Sequence, residues 1–107
     1  MSITTVVNLR RESYDVYIGR PGKKQPGLLG NPIVRNQYCP VCAEVHRGRG
    51  ATLDCFERYF AERIASDPAY KALVLQARGK KLGCFCAPRR CHGDVIAAYL
   101  NSLEPTP

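Results

Sequence analysis

Six cysteines and two histidines in this sequence could bind a soft metal ion, and they fall into two groups of four. Cys39, Cys42, His46 and Cys55 form the first, spaced Cys-x2-Cys-x3-His-x8-Cys. A Cys-x-x-Cys turn lets two thiolates reach one ion at about 2.3 Å, and Pro40 stiffens this turn. Three sulfurs and one imidazole would complete a tetrahedron with no open position, which is how structural zinc is held. The expectation is one zinc ion on these four residues. The spacing is short, like a zinc knuckle, although the interval from His46 to Cys55 is longer than in that motif. Two rivals stand beside it. A redox Cys-x-x-Cys normally opens a helix after a strand, whereas loop sequence precedes Cys39. Otherwise Cys55 is a buried reduced thiol in a helix face and the other two are surface thiols.

The second group lies in residues 83–94, which read GCFCAPRRCHGD and contain Cys84, Cys86, Cys91 and His92. This is the pattern of a strand, a tight basic loop and a helix start, the place where α/β folds bind ligands. Unpaired amides at a helix start attract an anion, and Arg89 and Arg90 stand beside them. A cysteine there is expected to have a lowered pKa and to be nucleophilic. Three readings stay open: a second metal site, an anion or nucleotide pocket in which Cys91, His92 and Asp94 orient or act on the ligand, or core cysteines with His92 and Asp94 capping the helix. A zinc deaminase is disfavoured. It needs a Glu two residues after its zinc histidine and a later Pro-Cys-x-x-Cys, whereas Asp94 follows His92 and the Cys39–Cys42 turn lies upstream.

The 107 residues fit one domain, read as 1–107, with 36–55 as a cysteine-rich insertion within it. The net charge is +7, from 16 Lys+Arg against 9 Asp+Glu. The cations cluster at Arg10-Arg11, Arg20 with Lys23-Lys24, Arg47 with Arg49, Arg78 with Lys80-Lys81, and Arg89-Arg90. Such a field points to an anionic partner: a nucleotide, a phosphorylated metabolite or nucleic acid. Hydrophobic residues make up 45% of the chain, which excludes a disordered tail. No apolar run approaches the ~20 residues of a membrane span, and residues 1–11 lack the pattern of a secretory signal. The expected location is the cytoplasm of a bacterium, or of a host cell for a phage gene. There, clustered cysteines point to metal or redox chemistry rather than to disulfides.

These side chains need elements to hold them. Residues 4–8 (TTVVN) and 14–18 (YDVYI) read as strands, with 10–13 as the turn between them. Residues 19–32 hold too many Gly and Pro for a regular element. Thr52 is a good N-cap for a helix ending near Ser66, with Leu53, Phe56, Phe60 and Ile64 at helical spacing. Asp67-Pro68 opens a second helix with Tyr70, Leu73, Val74 and Ala77 on its apolar face and Gly79 at its end. Residues 81–86 read as a strand, and a last helix runs from Gly93 or Asp94 to Ser102. The fold class is α/β: a short, mostly parallel sheet in which the last strand joins the first, with flanking helices and a zinc-stabilised loop.

Val6-Val7-Asn8, residues 15–20 (DVYIGR), Gly30-Asn31-Pro32, residues 83–88 (GCFCAP) and Cys91-His92-Gly93-Asp94 resemble the domain family numbered 4326, common in phage and bacterial genomes. The resemblance implies a compact α/β domain and no particular activity. It directs attention to Arg20, Asn31 and Cys91 to Asp94. If the second and third strands are parallel neighbours, Arg20, Asn31, Gly93, Arg89 and Arg90 line one pocket suited to a phosphate with a polar base or sugar. As an enzyme on nucleotides or bases, the domain would use His92 or Asp94 as its acid or base. The alternatives are a zinc-stabilised nucleic-acid-binding module using Arg35, Arg47 and Arg49, and a phage accessory protein that binds a host protein.

Overall fold

The computed structural model describes residues 3–19, 27, 29–48, 51–85 and 91–103. Arg20, Cys86, Arg89 and Arg90 lie outside the described residues. Three strands, β1 (Thr5–Asn8), β2 (Val16–Tyr17) and β3 (Lys81–Cys84), form a sheet in the order β1-β3-β2. Both outer strands pair with β3 in parallel, Val6 and Val16 each opposite Leu82. The helices are α1 (Leu53–Ser66), α2 (Pro68–Leu75) and α3 (His92–Ser102). This is the expected α/β arrangement, with the last strand joined to the first.

The turn expected at residues 10–13 is present, Arg11 N–H and Glu12 N–H donating to the Asn8 carbonyl, but it opens a crossover rather than closing a hairpin. Two parallel strands on either side of a third need a crossover, which ordinarily takes about a dozen residues or more. Here residues 9–15 suffice, because the chain passes directly over β3 at Gly83. A Cβ there would lie 2.6 Å from Tyr14 Cγ and 2.9 Å from its Cβ, so glycine is what lets the chain cross. The ladder extends past both ends of the link: Leu9 N–H donates to the Cys84 carbonyl at 3.0 Å and Asp15 N–H to that of Lys81 at 2.9 Å. As a strand β2 is shorter than its β-rich sequence predicted.

The helices stack outward from one sheet face. On α3, Gly93 packs so tightly that an added Cβ would lie 2.6 Å from Ile18 Cδ1 and 3.2 Å from Val6. Helix α1 lies alongside α3 in the same direction, with Phe56 5.3 Å from the His92 ring and Phe60 5.5 Å from the Tyr99 ring. Phe56 is wholly buried, a contribution of roughly 2–3 kcal/mol. Helix α2 packs on α1, held by Asp67. The Asp67 carboxylate caps the Tyr70 amide and pairs with Arg63, and these two partners hold its pKa below the ordinary value. Thr52 does stand at the N-cap of α1, but its hydroxyl accepts from Asn31 Nδ2 instead of capping the helix. No helix among the described residues is long and apolar enough to cross a membrane.

Replacing Gly83 with Ala should push the crossing off β3. The expected cost is about 1–3 kcal/mol, the usual range for overpacking a tight interior, read as a lower denaturation midpoint. An unchanged midpoint would mean that the crossing is not constrained at Gly83.

Candidate metal centre

Residues 36–46 form a small hairpin. Asn36 N–H donates to the His46 carbonyl, Cys39 N–H to the Glu44 carbonyl and Ala43 N–H to the Cys39 carbonyl, while Tyr38 bridges Val45 antiparallel. Ala43, just after Cys42, and Asn36, at the base of the hairpin, take the left-handed φ values of 63° and 66°. The hairpin thus delivers three candidate ligands, and Cys55 comes from the first turn of α1.

The ligand atoms of Cys39, Cys42, His46 and Cys55 all lie within 4.8 Å of one another. A tetrahedron built on bonds of about 2.0–2.3 Å has edges of roughly 3.5–3.8 Å, so the group need only contract slightly to hold an ion. Cys42 Sγ is 3.4 Å from His46 Nε2, which identifies Nε2 as the nitrogen that faces the sulfurs. Cys39 and Cys55 are buried, whereas Cys42 and His46 are partly exposed.

The electrostatics fit the same use. Burial pushes the Cys39 thiol up. The Cys42 and Val41 amides donating to its sulfur, together with His46 and Cys55, outweigh that and pull it down to about 6. Burial, and then the Cys42 and Cys39 sulfurs beside it, push Cys55 up to about 11. Without a cation the cluster cannot ionise all its sulfurs at once, and a divalent ion would relieve that conflict. The four residues could therefore hold one metal ion.

The second cysteine group has a different character. Cys84 Sγ and Cys91 Sγ are 3.3 Å apart and both are buried. Cys91 is not the activated thiol its helix-start position suggested. The Cys84 thiol beside it, and then burial, raise its pKa above the ordinary value, against a smaller pull from the Gly93 amide. Asp94 is at N3 of α3, its carboxylate accepting from the Cys91 amide at 3.1 Å. His92 is buried, and its Nε2–H donates to the Ile18 carbonyl. That contact joins the start of α3 to the end of β2, and nothing in the sequence could have revealed it, since every residue offers a carbonyl. Gly93 is packed against the sheet. Asn31 ties its loop to α1: its Oδ1 accepts from the Ile33 amide and its Nδ2 donates to Thr52 Oγ1. Asn31 and the start of α3 are thus engaged within the protein.

Residues 4–102 match the family described as Domain of unknown function (DUF4326), and the chain belongs to that family. It is similar to the Uncharacterized 12.4 kDa protein in the nrdA-td intergenic region of Enterobacteria phage T4, with 44% identity over 55 residues. The matched stretch is 51% of this chain and 51% of that protein, so the comparison spans about half the length of the relative. No solved structure matches.

Purified protein should carry near one divalent metal ion per chain by elemental analysis, and Cys42→Ser should lower both metal content and melting temperature. Unchanged values for both would remove the site. Because binding requires thiolates, protons compete with the metal. Retention should therefore weaken as pH falls, most steeply once Cys39 protonates below about 6, and a chelator titration across pH 5–8 measures it.

Proposed function

We propose that this member of the family is a zinc-stabilised α/β domain that binds a nucleotide or another phosphate-containing ligand at the carboxyl end of its sheet. The observation that carries the metal half is the convergence of Cys39, Cys42, His46 and Cys55 within 4.8 Å. Three thiolates and one imidazole suit zinc better than the oxygen-preferring ions. A site with four protein ligands would be structural, so zinc here rigidifies the hairpin and the start of α1 and takes no part in a reaction.

Support for the ligand half comes from the parallel pairing of β2 with β3. It puts the ends of both strands on one side, where α/β sheets bind ligands. Residues 20–26, with Arg20, Lys23 and Lys24, begin after Gly19, and Gly30 comes back against the Gly19 carbonyl. Residues 86–90, with Arg89 and Arg90, begin after Phe85, and Cys91 comes back to touch Cys84. The described residues that flank the two basic segments therefore lie at the same end. Asp94 already serves the amide of Cys91, so the cations, more than bare helix amides, would hold the phosphate. Asn31 and Gly93 would shape the pocket. His92 and Asp94 are its candidate acid–base groups, and Cys91 would act only after a rearrangement that frees its sulfur.

A second reading is a nucleic-acid-binding module centred on the hairpin. Tyr38 is 81% exposed there, with Arg35 and Arg47 exposed near it. That reading predicts a steep loss of affinity with salt.

Isothermal titration with nucleoside diphosphates and inorganic pyrophosphate should show binding that Arg20→Ala weakens about tenfold. Equal binding by the variant, or none by the parent protein, rejects the pocket. Salt-sensitive binding of single-stranded DNA or RNA alone would favour the hairpin reading.

A further inference from the structure

The two faces of the sheet are unequal. Val6, Val16, Ile18, Leu82 and Cys84 share the face that α3 covers, as the register and the packing of Gly93 and Cys91 require. Val7, Tyr17 and Gly83 share the other face, and there Tyr14 lies over Gly83 in the crossing link. Alternation carries the next outward position along β3 to Phe85, one residue beyond the strand. Phe85 is 51% exposed, and the Arg10 guanidinium carbon lies 5.1 Å from its ring centroid.

A solitary exposed aromatic needs no explanation. Phe85 is not solitary. Tyr14 is itself partly exposed on the same face, and Arg10 and Arg11 are exposed at that end of the link against Glu12, while Lys80 and Lys81 lie with Asp15 at the other end of β3. An accessible aromatic ring with a guanidinium stacked on it, in a net positive field, is the combination on which nucleobases stack. It also stands at the carboxyl end of β3, immediately before the basic segment that follows. We propose that Phe85 and Arg10 form the platform for the base of a nucleotide. The inference rests on the phosphate reading above and names the second half of that ligand.

The test is calorimetric titration of the whole protein with four ribonucleosides, their 5′-diphosphates and inorganic pyrophosphate. It is repeated on Phe85→Leu and Arg10→Gln, with a thermal melt of each variant. Both exchanges should weaken nucleoside and nucleotide binding, Phe85→Leu by about tenfold, and Phe85→Leu should leave pyrophosphate unaffected. Labelled Phe85 ring carbons should shift when a nucleoside is added. Nucleotide and pyrophosphate binding equally unaffected by Phe85→Leu and Arg10→Gln would overturn the platform and leave the phosphate site standing. Nucleosides that bind and respond to Phe85→Leu, with pyrophosphate inert, would uphold the platform and reject the phosphate site. No binding by any probe rejects both. Should Phe85→Leu fail to fold, Arg10→Gln and the ring-carbon shifts decide the matter.

Discussion

Every ladder pairing in the sheet passes through one four-residue strand. β1 and β2 never touch as strands; each is held by β3. The same strand sets the neighbouring features. Leu82 faces the core, Gly83 admits the chain that crosses outside, and Cys84 meets the sulfur that starts α3. A larger residue at the middle position would conflict with the crossing, and losing the strand would leave the other two without partners for their backbone groups.

The helices could be read from the sequence because their information is local. Leu53, Phe56 and Phe60 mark one stripe, and Asp67-Pro68 marks a start regardless of what packs nearby. The first cysteine group was legible for the same reason. Its spacing almost closes a ligand set by itself, and only the approach of Cys55 depends on the helix. The route from β1 to β2 was not legible. Residues 10–13 read as the turn between the two strands, and nothing within them reveals that a distant glycine leaves room for a crossing. Cys91 was misjudged similarly. A helix start lowers a thiol pKa, but a buried sulfur arriving from another strand reverses the sign.

The candidate metal centre and the sheet end are mechanically joined. Cys55 and Phe56 are consecutive on α1, and the Phe56 ring meets the edge of His92, whose Nε2–H holds the Ile18 carbonyl at the end of β2. Asn31 clips its loop to Thr52, three residues before Cys55. An ion that fixed Cys55 would therefore steady the start of α1, and through it the segments at the carboxyl ends of the strands. In a chain this small, one tetrahedral site can replace core that the domain lacks the residues to build.

The strand order also dictates when the molecule can assemble. A ribosome makes β1 and β2 first, yet neither has a neighbour until the central strand emerges much later. Thr4 then exchanges two hydrogen bonds with Asn101, 97 positions away. β1 and β2 must wait without ladder partners until most of the chain has been made. The hairpin, α1 and α2 can organise earlier from their own contacts, so the growing chain condenses from its middle outward.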